Sequence, residues 1–118
     1  MNLPVSPAHL SPADEAALAE LYRRGTPPNT IRAWERDLAY IAGWKLAAFG
    51  APLCWPEAEG VALRFILDHS VDLTGAPGPA REVAQALINA GLRRSLACPA
   101  PATLDRRIAS WRAFHRMK

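Results

Sequence analysis

Proline and glycine cut this 118-residue chain into pieces of helix length, and that punctuation limits the fold more than any other feature. Gly25, Gly50, the run Gly75-Ala76-Pro77-Gly78-Pro79 and Gly91 separate segments rich in Ala, Leu, Arg and Glu. Within those segments apolar residues return at three- and four-residue steps, the period of a helix buried on one face. Val, Ile, Thr, Tyr and Phe form no alternating run of the kind a half-buried strand requires. The pattern predicts an all-α domain, a small bundle of four to five helices joined by short turns.

The first helix is predicted over residues 12–24. Ser11 offers an oxygen cap, Pro12 fits the first turn, and Asp14 and Glu15 lie near the positive end of the helix dipole. Residues 1–12, with three prolines, read as a flexible arm ahead of a domain over 13–118. Thr26-Pro27-Pro28-Asn29 opens a second helix reaching Phe49, because first-turn amides have no partner within the helix for proline to remove. Trp34, Leu38, Ile41, Trp44 and Ala48 fall on its core side, and Arg32, Arg36, Ala39 and Gly43 on the other. Trp55-Pro56-Glu57 opens a third helix running to about residue 72, whose wide apolar arc (Val61, Phe65, Ile66, Leu67, Val71) predicts deep burial. A fourth spans 80–90, with Val83, Leu87 and Ile88 inward. The last spans 102–117, with Leu104, Ile108, Trp111 and His115 on one face and Arg106 and Arg116 pointing away. Trp34, Trp44 and Trp111 are expected to pack together, and Asp37 at the core edge to form an ion pair or an interhelical hydrogen bond.

Charge is unevenly placed. Residues 93–118 hold seven cations and one anion, a net +6, whereas residues 1–92 carry −3. A concentrated cationic segment attracts polyanions, although a solvated basic helix has the same composition. Conventional enzyme chemistry is not visible: there is no Gly-rich phosphate loop, no metal-ligand pair at helical spacing and no nucleophile–base order. His115 reads as a core histidine, and Cys54 and Cys98 as buried free thiols of a reducing compartment. No apolar stretch reaches the ~18 residues of a membrane span, and the opening residues show no secretory leader. A cytoplasmic location is expected, with no cofactor, no metal, no membrane and no small-molecule substrate.

Two blocks carry a family resemblance. Pro28-Asn29-Thr30-Ile31-Arg32-Ala33-Trp34-Glu35-Arg36-Asp37-Leu38, followed by Ile41 and Trp44, resembles the start of the core-binding domain of tyrosine recombinases and phage integrases. Ala102-Thr103-Leu104-Asp105-Arg106-Arg107-Ile108, followed by Trp111 and His115, resembles a later helix of the same domain. Ala102 stands where that family often has Ser, and residues 75–98 are longer than its usual link. The resemblance implies a SAM-like orthogonal bundle that forms one jaw of a clamp around double-stranded DNA during integration or recombination, beside other recombinase protomers on a bacterial or phage nucleoid. It also implies that the arginines, histidine and tyrosine that cut DNA belong to a separate catalytic domain, so this chain would be a non-catalytic piece of a longer integrase. Thr30, Arg32, Arg36, Arg93, Arg94, Thr103, Arg106 and Arg107 are the expected DNA contacts, with the openings of the second and last helices side by side on one stretch of phosphate backbone. A helical protein–protein interaction or regulatory module is the alternative; a stand-alone enzyme is more distant.

Overall fold

The structure, a computed structural model, describes residues 12–55, 57–75 and 77–117, and no side-chain detail for residues 116 and 117. Among the described residues it is all-helical: α1 is Pro12–Arg23, α2 Pro28–Phe49, α3 Glu59–Asp68, α4 Pro79–Asn89 and α5 Pro101–Met117. Among the described residues no helix is long and apolar enough to cross a membrane. The expected N-terminal arm lies outside the described residues, except that Pro12 opens α1 as predicted.

The punctuation works through specific bonds. Gly25 takes φ +93 after α1, and Thr26 N–H reaches back to the Leu21 carbonyl at 3.1 Å. Gly91 takes φ +78 after α4, and Leu92 N–H reaches the Leu87 carbonyl at 2.9 Å. Both are six-to-one closures that satisfy orphan carbonyls, and both require a left-handed residue that glycine adopts without a Cβ penalty.

α2 is the centre of the fold and packs against α1, α4 and α5. This corrects the two-sided reading of that helix. Asp37, Leu38, Ala39, Tyr40 and Ile41 are buried in succession, and Gly43, Trp44 and Lys45 follow. The expected open face therefore holds only toward the N-terminal end, where Arg32 and Arg36 are exposed, and not at Ala39 or Gly43. Helices on several sides of α2 cover it all round in its middle turns, which a single apolar stripe does not reveal.

The core has two parts. Tyr40, Ile41, Trp44, Phe65, Val83, Leu87 and Trp111 form the larger cluster; Leu18, Leu38, Ala39 and Phe114 form the smaller. Trp44 sits edge-on to Phe65 at 5.0 Å between ring centroids and meets Trp111 at 6.5 Å. Each fully buried large side chain here contributes on the order of 2–3 kcal/mol. Trp34 joins the smaller cluster instead, edge-on to Phe114 at 6.2 Å.

α3 is shorter and less buried than expected. Ahead of its start the Glu57 carboxylate accepts the Cys54 amide at 2.7 Å and the Lys45 ammonium at 2.7 Å, which ties Glu57 to Cys54 and to α2. At its end His69 caps the helix, and Leu73 N–H leaves to bond the Leu96 carbonyl at 3.0 Å. Of the predicted apolar arc only Phe65 is buried; Leu67 and Val71 are 57% and 48% exposed, as is Leu63 at 55%. α5 also differs: His115 is exposed, and Phe114 occupies the core in its place. Positions 114 and 115 both lie within one turn of Trp111, so periodicity cannot choose between them. Cys54 and Cys98 are free, as expected, but exposed rather than buried.

Candidate nucleic-acid interface

The two blocks that carry the resemblance lie on helices in direct contact. Asp37 of α2 is buried, and both of its oxygens are occupied by α5: Arg106 Nη2 donates at 2.8 Å, Arg106 Nε at 3.2 Å to each oxygen, and Ser110 Oγ at 2.8 Å. The ion pair expected at Asp37 is thus present, and its cation is one of the expected DNA contacts. Arg106 remains about half exposed (54%), with its donors turned toward the protein.

Three contacts give the direction of the pair. Trp34 meets Phe114, Asp37 meets Ser110, and Arg107 covers the Tyr40 ring at 3.7 Å from its centroid. As numbering rises along α2 it falls along α5, so the helices run antiparallel. Thr30 lies ten residues before Tyr40, and Thr103 four residues before Arg107. The two offsets add in an antiparallel pair, so their separation along it is about 20 Å. The two helix openings are not side by side, a correction to the expected geometry. Thr103 is also half-buried, and its amide already donates to the Ala100 carbonyl at 2.9 Å. Thr30 is half-buried in the first turn of α2, next to Asn29, whose side-chain oxygen accepts from Arg32.

The cations sort by whether an acid neutralises them. Arg23, Arg24, Lys45, Arg64 and Arg106 each have a carboxylate at salt-bridge distance. Among the described residues, Arg32, Arg36, Arg81, Arg93, Arg94, Arg107 and Arg112 have no such partner. Arg32, Arg36, Arg94 and Arg112 are exposed, and Arg93 and Arg107 are half-buried. Arg93 donates to the carbonyls of Ser95 at 2.7 Å and Ala97 at 3.2 Å, which ties it to the loop before α5. Arg116 lies outside the residues whose side chains are described.

Arg93 and Arg107 converge on Tyr40, which pattern reasoning missed. Burial raises the Tyr40 hydroxyl above its ordinary range, against the opposing pull of the Arg107 and Arg93 charges. Burial likewise lowers Arg107, while Tyr40 and Asp37 act to raise it and the neighbouring Arg106 and Arg93 charges to lower it. Tyr40 is held by His69, also missed. The His69 Nδ1–H donates to the Phe65 carbonyl at 2.7 Å, which leaves Nε2 to accept the Tyr40 hydroxyl at 2.6 Å. Burial drives His69 down to about 4, helped by the Arg93 and Arg107 charges and opposed by the Phe65 carbonyl bond and Asp68. Its imidazole is therefore neutral at neutral pH. Tyr40 could have been anticipated, since it lies one turn after Asp37 and Arg107 adjoins Arg106. His69 carried no motif, because its position depends on where α3 ends.

This arrangement presents positive charge around Tyr40 and along α5. Among the described residues no three His, Cys, Asp or Glu side chains gather to hold a metal ion. No protein-family model, curated protein or solved structure matches the chain.

Proposed function

We propose that this domain binds double-stranded DNA through its phosphate backbone, as the SAM-like core-binding arm of a tyrosine-type recombinase or integrase whose strand chemistry resides in another domain. The observation that carries the reading is the set of arginines without a carboxylate partner on α2, on the stretch before α5 and on α5: Arg32, Arg36, Arg93, Arg94, Arg107 and Arg112. The C-terminal quarter that holds four of them contains a single acid, Asp105. Unneutralised guanidinium groups are the residues that displace counterions from DNA. The recombinase assignment rests on the two resembling blocks, and the Asp37–Arg106–Ser110 bonds that join them support it. Adjacent helix openings form no part of this proposal.

The test is fluorescence anisotropy of a labelled duplex titrated with the protein over a range of salt. Affinity should fall as salt rises, by roughly 0.9 log units per log unit of salt for each phosphate engaged. Arg36→Ala with Arg94→Ala should weaken binding to unrelated duplex sequences alike and make that dependence shallower. Duplex binding absent even at low salt would refute the reading.

A protein-docking role is the second reading, favoured by the exposed side chains Leu63 and Leu67, one turn apart on α3. It predicts that Leu63→Ser with Leu67→Ser changes self-association in sedimentation while leaving DNA affinity unaltered.

A further inference from the structure

Arg107 is held in a way the fold alone does not explain. Its guanidinium carbon lies over the Tyr40 ring, 3.7 Å from the centroid. Its Nε is sealed against the protein with no hydrogen-bond partner, whereas its two Nη nitrogens, also without a partner among the described residues, are not among the buried atoms. The acid whose charge acts on it, Asp37, is already filled by Arg106 and Ser110. A half-buried cation without an anion is unfavourable, since it has lost part of its hydration and gained no counter-charge. Arg93 and Arg106, themselves cationic, stand close by and add to the local field.

The groups beneath Arg107 fix its orientation. Tyr40 cannot swing, because its hydroxyl is bonded to His69 and its ring lies edge-on to Phe65 at 6.2 Å. His69 is anchored in turn to the Phe65 carbonyl. The two Nη nitrogens of Arg107 thus stay accessible above a side chain that is itself held in place, and a planar fork of this kind suits phosphate oxygens.

We propose that the Nη edge of Arg107, stacked on Tyr40 and flanked by Arg93, is the seat of one backbone phosphate of duplex DNA. The proposal rests on the DNA-binding reading above and names the place where that binding is anchored. Tyr40 and His69 are positioning residues, and Arg106 serves the Asp37 joint rather than the phosphate. A backbone phosphate, rather than a neutral base edge, fits because the charges of Arg93 and Arg106 add to that of Arg107 and favour an anion there.

The experiment combines duplex anisotropy with NMR of the Arg107 guanidinium in the full chain. Arg107→Gln should weaken duplex binding roughly tenfold and make the salt dependence shallower by about one phosphate, as loss of a charge-assisted contact requires. Arg107→Lys keeps the charge and should restore the salt dependence while remaining weaker than wild type. The wild-type Nη resonances should shift with inorganic phosphate and shift further with duplex. Circular dichroism of each variant reports folding, and the NMR arm needs no variant. If wild type binds duplex and Arg107→Gln matches it within twofold at the same salt slope, the seat is refuted and the DNA reading stands. If the Nη resonances move with inorganic phosphate but duplex does not bind, the DNA reading fails and the phosphodiester assignment fails with it. If neither ligand moves them, both proposals are overturned.

Discussion

Lowering the pH should destabilise this protein through His69. The ring is 1% exposed, donates to the Phe65 carbonyl and accepts from Tyr40, so the folded state has no place for a second proton. Its folded value lies near 4 against an ordinary 6.5. The unfolded chain therefore takes up a proton in that window while the native state does not, and stability falls as pH falls. The contribution is complete above pH 6.5 and is lost on the way down to about 4. Each unit of difference is worth 1.36 kcal/mol, so about 2 kcal/mol is gone at pH 5 and about 3 kcal/mol at pH 4. That is a large share of the ~5–15 kcal/mol that holds a typical domain folded. Urea unfolding followed by tryptophan fluorescence at stepped pH measures it. His69→Gln is the comparison, since its amide can also donate on one side and accept on the other without titrating. Carboxylates contribute equally to both proteins, so the difference between the two pH profiles isolates the imidazole. Profiles that run parallel from pH 7 to 4 would refute the reasoning.

The Asp37 joint predicts an asymmetry. Arg106→Met leaves a buried carboxylate with only Ser110 and should cost about 3 kcal/mol, whereas Asp37→Asn keeps an acceptor and releases a half-exposed arginine, costing about 1–2 kcal/mol; chemical denaturation ranks the two. Gly91→Ala meets no atom within 4 Å, so its expected loss of about 1–2 kcal/mol comes from the left-handed backbone alone. Trp44→Ala should cost about 3–5 kcal/mol, because the ring is 1% exposed and links Phe65 to Trp111; thermal melting would show it.

The helices were legible because their ends are written in residues with few alternatives. Gly25, Gly50 and Gly91 all have positive φ where the reading put helix ends, and α1, α2, α4 and α5 match their predicted spans within a residue or two. Depth was less legible. Ala39 and Gly43 are small and could sit on either side of a helix; the packing of several neighbours around α2 decides it. Leu63, Leu67 and Val71 look like core to any apolar scale, yet Leu63 and Leu67 lie one turn apart on the open face of α3 and Val71 falls beyond the helix end at His69. The expected site residues carried charge but not partners. Nothing near Arg106 in the chain announces that Asp37, sixty-nine residues earlier, binds it. Nothing near Thr103 announces an antiparallel α5. Those relations are tertiary, and local pattern does not contain them.

The antiparallel closure of α5 on α2 also governs how the chain can be divided. Remove residues 101–117 and Asp37 loses every partner described for it, while Tyr40 and Trp44 lose the side chains of Arg107 and Trp111 that cover them. The last helix is therefore no appendage: a shortened version ending near Pro99 would open both clusters at once, and any separately produced fragment must carry α5 to remain native.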